Sequence, residues 1–333
     1  MIVVRAPLRV SFVGGGTDYP DFFEHETGFV LGTTINKYVY VSALSLPNFA
    51  EEEFRFTYRV TESVQKVSEF KHPVMRASLT EKKWKLPINI ATMSDLPGRS
   101  GLGSSSSFTV ALECALGEFV GQPSPPLEIA QKAIRIEREI LGEKGGYQDQ
   151  YQAAVGGFNL YEFKQKSVTA HPIKLSTSDQ KYLSNSLVLV PMKNWRNSNE
   201  FASITAASMS SSELFTTYER LARTAKETHD MLIAEDTIEN KFQHLSMVVA
   251  NAWTEKVKLA KGTIEKPVLD VIELGLKLGA SAGRLCGAGG TGFVLFMVKP
   301  DLREDFVEEL GQLDAFSIEI ENLGCLKIPN SLE

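Results

Sequence analysis

The stretch LPGRSGLGSSSSF, Leu96 to Phe108, lies between a strand pattern, Ile88 to Thr92, and a helix pattern, Ser104 to Val120. The helix pattern carries Phe108, Ala111, Leu112, Ala115, Leu116 and Phe119 at helical spacing. Gly98, Gly101 and Gly103 permit positive φ and close backbone approach. Ser104, Ser105, Ser106 and Ser107 fall at the helix start, where hydroxyls cap orphan N–H groups. The helix N-terminus adds free N–H donors and a partial positive charge. Together these make an anion cradle suited to a di- or triphosphate. A serine hydroxyl there can also face a Mg²⁺ ion that bridges the phosphates. The plainer reading is a capped helix after a flexible loop. No GK[ST] follows, so this is not a Walker A loop.

Strand signals dominate the chain before this loop: Ile2 to Val4, Arg9 to Val13, Lys37 to Leu44, Phe54 to Val60 and Ile88 to Thr92. After the loop come two helical stretches, Ser104 to Val120 and Leu127 to Leu141, and then a hairpin, Phe158 to Phe163 with Val168 to Ile173. A polar stretch, Lys174 to Ser186, separates this half from a second style of sequence. That half has a strand at Leu187 to Val190, then three or four helices between about Asn199 and Leu278. A Gly-rich loop, a strand from Thr291 to Val298, a helix from Leu302 to Leu313 and a last strand, Phe316 to Glu321, follow. This segregated order predicts two α+β domains, residues 1–180 and 181–333.

The chain has 333 residues, enough for about two domains. Charged residues are 23%, hydrophobic ones 43% and the net charge is −6, which excludes a disordered chain and a nucleic-acid binder that relies on bulk positive charge. Apolar runs stop well short of the ~18 residues of a membrane span. Met1 to Val13 reads as a first strand rather than a signal peptide. Cys114, Cys286 and Cys325 are far apart, and the histidines lack metal-ligand spacing. A disulfide framework and a zinc site are therefore not expected, and a reducing cytoplasm is the expected compartment.

Two further glycine clusters flank the chain. VGGGTDYPDF, Val13 to Phe22, follows a strand, but no helix pattern opens on its glycines, so a dinucleotide fingerprint is not indicated. An acidic residue on this turn, Asp18, can accept hydrogen bonds from sugar hydroxyls; the alternative is a turn with a polar cap. GRLCGAGGTG, Gly283 to Gly292, suggests backbone that approaches a ligand or the other domain, or else a flexible connection. Two carboxylates stand out. Glu137 is the one charge on the stripe Ala130, Ile134, Glu137, Leu141; a core-facing carboxylate is costly unless it is paired or binds a metal, and the alternative is the rim of the stripe with a salt-bridge partner. Asp149 lies in GGYQDQYQAAVGG, Gly145 to Gly157, read as a ligand-lined loop.

Three of these segments, in this order, resemble the motifs of the GHMP small-molecule kinases: APLRVSFVGGGTDY (Ala6 to Tyr19), PGRSGLGSSSS (Pro97 to Ser107) and RLCGAGGTGF (Arg284 to Phe293). The spacing of Glu137, Gly146 and Asp149-Gln150 also matches the family's pattern. Within the family, GGGTDYPDF with INKYVYV (Ile35 to Val41) and HPVMRA (His72 to Ala77) looks most like the D-glycero-D-manno-heptose 7-phosphate kinases, with the sugar-kinase domain of L-fucokinase second. The resemblance implies a ribosomal-S5-like N-terminal domain, a ferredoxin-like C-terminal domain, and ATP and a sugar or sugar phosphate in the cleft between them. It implies phosphorylation of an anomeric hydroxyl.

It further implies a nucleotide cradle of Pro97, Gly98, Ser100, Gly101, Leu102, Gly103, Ser104, Ser105 and Ser106. Mg²⁺ would be held by Glu137 and Ser105, or its neighbour Ser104. Asp149 would be the base and Arg9 its partner. Asp18, Gly15, Gly16, Thr17, Gly289 and Arg196 would line the acceptor, with Arg196 facing a 7-phosphate. Lys193-Asn194-Trp195-Arg196 departs from a Thr-Gly…Arg stretch that related sugar kinases often carry, and Cys286 and Thr291 depart from a loop of uniformly small residues. Two alternatives stay open: another sugar 1-kinase of the family, and a non-catalytic sugar or nucleotide sensor on the same fold. The oligomeric state is also open, a homodimer among the options.

Overall fold

The computed structural model describes residues 1–329 except 48, 99, 166, 193–202, 204, 208, 210, 235–236, 261–263 and 288–291. In chain order it runs β1 (Ile2–Val13), α1 (Pro20–Phe23), β2 (Gly28–Ser45), β3 (Phe54–Thr57), β4 (Thr61–Val64), α2 (Pro73–Glu81), β5 (Ile88–Ser94), α3 (Ser104–Phe119) and α4 (Pro126–Ile134). A π-helical segment, Arg135–Ile140, extends α4, and α5 (Gln148–Val155), β6 (Phe158–Lys164), β7 (Ser167–Pro172), α6 (Thr177–Ser184) and β8 (Leu187–Pro191) follow. Helices Ser212–Ala234, Ile238–Leu259 and Lys266–Lys277 lead to β9 (Ala282–Leu285) and β10 (Phe293–Met297). Helix Arg303–Glu309 and three short strands, β11 (Phe316–Ser317), β12 (Ile320–Glu321) and β13 (Leu326–Lys327), close the chain.

Among the described residues the strands form two sheets. The first follows the order β13-β1-β2-β5-β3-β4, with β6 and β12 also on β2 and β7 on β6; the second is β11-β8-β10-β9. One face of the first sheet packs on α2 to α5 through Val41, Ile90, Ala111, Ala115 and Ala153. Its other contacts form a core shared with the second half: Leu8, Val10 and Phe12 meet Leu189, Leu295 and Val249. Alternate residues of the second sheet, Val188, Val294 and Phe296, turn to a third cluster with Ile272 and Phe306.

β1 changes face along its length. Val4 and Ala6 enter the cluster under α3 and α5, whereas Leu8, Val10 and Phe12 enter the shared core. All five are even-numbered, so a regular strand would keep them on one side. The flip falls at the register irregularity between Pro7 and Leu8, where the β2 partner jumps from Tyr38 to Ile35. A proline lacks the ladder N–H and favours such a break. The consequence is that Arg9 and Ser11 face α5.

Several elements differ from expectation. The two short strands expected at Ile2 to Val4 and Arg9 to Val13 are one strand. The polar stretch Lys174 to Ser186 contains α6, capped by Ser176. α2, capped by the His72 side chain, replaces part of a region read as strand-rich. The last strand divides: Phe316–Ser317 joins β8, and Ile320–Glu321 crosses back to β2 in the first sheet. The tail then pairs Leu326 and Lys327 with β1.

Candidate active site

α3 starts at Ser104 with Gly103 as its N-cap, left-handed at φ 78°, and no side chain caps it. The expected serine caps are therefore absent: Ser106 Oγ donates to Glu137 and Ser107 Oγ to the Pro7 carbonyl. The first N–H groups of this helix are left without side-chain partners, which is the arrangement that receives an anion. Gly101 is also left-handed, at φ 74°, but Gly98 is not among the glycines with positive φ. A Cβ at Gly101 would lie 2.8 Å from the Cys286 carbonyl, and one at Gly292 would lie 2.6 Å from the Ser100 carbonyl. The third glycine cluster thus packs backbone to backbone on the phosphate loop. Ser100 is buried and its hydroxyl accepts from Leu102 N–H, while Pro97 and Gly98 are exposed.

Asp149, expected in a loop, is in the first turn of α5. Arg9 grips it with two bonds, Nε to Oδ1 and Nη2 to Oδ2, both 2.8 Å, and Nη1 donates to the Gly101 carbonyl at 2.6 Å. Burial works against the Arg9 charge, but Asp149 more than offsets it and holds the guanidinium above its ordinary range. A Cβ on Gly103 would sit 3.4 Å from Asp149 Oδ2, so the carboxylate borders the start of α3. The Asp149 side chain keeps 23% exposure against 6% for Arg9. One edge of the carboxylate is spent on the arginine, and the rest of the side chain stays partly exposed.

Glu137 is 1% exposed. It lies in the π-helical segment, where Ile136 and Glu137 both turn inward. Its Oε1 accepts from Thr109 Oγ1 at 2.6 Å, and its Oε2 from Ser106 Oγ at 2.9 Å and Gln150 Nε2 at 2.5 Å. Arg138 stands 3.6 Å away. Ser105, expected to pair with Glu137, is exposed instead, and Ser106 makes that contact. Among the described residues no three His, Cys, Asp or Glu side chains gather as a metal cluster. Mg²⁺ at phosphoryl sites needs only one or two carboxylates beside substrate oxygens. Glu137 and Ser106 offer adjacent hard oxygens, and Gln150 Oε1 is buried there with no partner among the described residues. These donors fit such an ion.

Asp18 is 1% exposed and fully engaged. Oδ1 accepts from Gly16 N–H and Gln148 Nε2, and Oδ2 from Gln148 N–H. Burial raises its pKa above the ordinary range. Asp18 therefore ties the glycine turn to the start of the helix that carries Asp149. Thr17 points inward, its hydroxyl on the Gly14 and Phe29 carbonyls. Gly15 borders Gln148, and the Tyr218 ring packs on Gly16. Arg196 and Gly289, expected at the acceptor, lie outside the described residues, as does Thr291.

Some neighbours carried little sequence signal. Arg284 Nη1 donates to the Phe12 carbonyl at 2.5 Å, and its Nε has no partner among the described residues. Lys256 reaches the carbonyls of Leu285 and Gly287, and burial with the nearby Arg284 pushes its pKa down to about 7. Lys256 sits behind the third glycine cluster on a stretch read from sequence as ordinary helix, whereas Arg284 belongs to that cluster and lies in β9. Thr109 could have been found, since it follows Ser106 by three residues on one helix face.

A strand-borne arginine clamping a carboxylate, beside an uncapped glycine-led helix, is an arrangement that can serve phosphoryl transfer, and the comparisons below show a phosphotransferase that acts on a hydroxyl group. Residues 70–157 match the family model for the GHMP kinases N terminal domain. The chain is 28% identical to the D-glycero-alpha-D-manno-heptose 7-phosphate kinase of Campylobacter jejuni, over 98% of this chain and 99% of that protein. It is 31% identical to the galactokinase of Thermotoga maritima over 46% of this chain and 43% of that one. A crystal structure described as a D-glycero-D-manno-heptose 1-phosphate kinase from Bacteroides thetaiotaomicron shares the fold, with a TM-score of 0.78, 24% identity and 99% of each chain covered. Residues 70–157 thus carry a GHMP kinase N-terminal domain. No helix among the described residues is long and apolar enough to cross a membrane.

Proposed function

We propose that this kinase transfers the γ-phosphoryl group of ATP to the anomeric hydroxyl of a heptose 7-phosphate, giving the 1,7-bisphosphate. The observation that carries the reading is the bidentate Arg9–Asp149 pair at the mouth of α3. Phosphoryl transfer asks mainly for positioning and charge neutralisation. The uncapped N–H groups of α3, with Gly101 and Gly103, receive the phosphates. Ser106 and Glu137 would hold Mg²⁺, which would supply neutralisation of the phosphate charge. Asp149 accepts the proton of the sugar hydroxyl as its oxygen bonds to the γ-phosphorus and the bond to ADP breaks. Arg9 holds Asp149 in place through its two hydrogen bonds. Gln148, held by the buried Asp18, borders the sugar, and Arg196 is the proposed partner of the 7-phosphate.

Near-full-length identity to a kinase of that name supports the acceptor. The test is a panel of heptose 7-phosphate, heptose, L-fucose and galactose with Mg-ATP, with products read by phosphorus NMR. The heptose phosphate should give the highest kcat/KM and an anomeric phosphate signal. Equal efficiency on heptose with and without its phosphate would remove this acceptor, and preference for fucose would favour a fucokinase-like enzyme.

A further inference from the structure

Two thiols that the transfer reaction does not use meet at the back of the phosphate-loop helix. Cys114 lies on α3, 8% exposed, in the apolar cluster under the first sheet. Cys325 lies in the tail between β12 and β13, half-buried, with its thiol turned inward onto the Val110 carbonyl, 3.9 Å away. Val110 is one turn before Cys114 on α3. The Cys325 thiol thus reaches the turn of α3 that leads to Cys114, and both residues pack in the same apolar cluster. The third cysteine, Cys286, is 3% exposed beside Arg9, Arg284 and Lys256.

The surrounding backbone holds the tail in register for this contact. Cys325 N–H donates to the Ala154 carbonyl of α5, and Ile328 N–H to the Val3 carbonyl of β1. A Cβ on Gly324 would lie 2.1 Å from the Ala154 carbonyl, so the tail is pressed against α5 as well as α3. These are the two helices whose N-termini carry the phosphate loop and Asp149.

We propose that Cys114 and Cys325 form a reversible disulfide that clasps the C-terminal tail to the phosphate-loop helix. The oxidant class is a hydroperoxide. The Cys114 thiolate attacks the peroxide oxygen, forming an S–O bond and releasing hydroxide or alkoxide. Cys325 sulfur then attacks the sulfenic sulfur, the S–O bond breaks and a second hydroxide leaves. The two thiol protons end on the two leaving oxygens, so two thiols and one hydrogen peroxide give one disulfide and two waters. Attack by the Cys325 thiolate first, with Cys114 resolving, gives the same disulfide and the same balance.

The test treats the full chain with stoichiometric hydrogen peroxide, blocks free thiols and maps peptides without reduction. The expected result is one cross-linked pair containing Cys114 and Cys325, within one chain and reversed by dithiothreitol. It should persist in Cys286→Ser and vanish in Cys325→Ser, a change at a half-buried residue that leaves the core intact. The oxidised wild type should melt several degrees higher than the reduced form, a shift absent from Cys325→Ser. Cross-links through Cys286, cross-links between chains, or both thiols of the pair still free to alkylate would each overturn the proposal.

Discussion

Asp149 and Glu137 are carboxylates beside the same helix, α3, yet their surroundings differ in kind. Asp149 meets a fixed arginine fork along one edge and keeps 23% of its side chain exposed. Glu137 is 1% exposed and shares its oxygens among Thr109, Ser106 and Gln150, with Arg138 beyond. A carboxylate clamped on one edge is held in a fixed orientation and can still take a proton from a ligand on another. A carboxylate ringed by hydroxyl and amide donors has no such free edge. It can, however, exchange those donors for a cation, because a hydroxyl presents lone pairs as readily as a proton. The same functional group is thus suited to proton transfer in one place and to ion binding in the other.

The sharpest way to break this contrast is Asp149→Asn. The amide keeps the shape and loses the proton acceptor. Turnover should fall about 10²–10⁴-fold, while ATP affinity, measured by calorimetry, stays within about threefold. A variant that keeps more than about a tenth of the wild-type rate would end the case for a base at this position. Glu137→Gln should act differently. The half-saturating Mg²⁺ concentration, read from initial rates at fixed ATP, should rise about tenfold to a hundredfold, the range typical of disturbed metal sites. An unchanged Mg²⁺ dependence would mean that Glu137 only supports the fold, and that the two carboxylates differ less than their surroundings suggest.

How far this contrast was legible from sequence depends on whether it is local. α3 was legible because sixteen residues carry one apolar period behind three glycines. The inward turn of Glu137 was legible from its four-three-four spacing, but the π-helical segment that also buries Ile136 was not, since it depends on packing. The serine run was visible, but not its phase: neighbours on a helix point about 100° apart, and that angle separates exposed Ser105 from Ser106. α5 escaped because it is only eight residues long, polar on average and bracketed by glycines. The turn of Arg9 toward Asp149 was hidden for a different reason. It depends on a register break between Pro7 and Leu8, set by pairing with β2, and a single strand read alone does not reveal its register.

The smallest expected effect tests whether the enclosure of Glu137 is structural or chemical. Thr109 Oγ1 has one proton, and at 2.6 Å from Glu137 Oε1 and 3.2 Å from the Ser105 carbonyl it is committed mainly to the carboxylate. Thr109→Val keeps the branched shape and removes that donor from a fully buried site. Losing a hydrogen bond to a buried charged group costs about 1–3 kcal/mol. The thermal midpoint of the ligand-free protein should therefore drop by a few degrees, while Thr109→Ser stays near the wild type. Turnover at saturating Mg-ATP should stay within about threefold, because a bound cation replaces the missing donor. The gap in thermal midpoint between Thr109→Val and the wild type should also narrow when Mg-ATP is added. If the variant is instead as stable as the wild type but loses more than tenfold in turnover, the Thr109 hydroxyl serves the reaction rather than the closed state. Glu137 would then be as open to its ligands as Asp149 is.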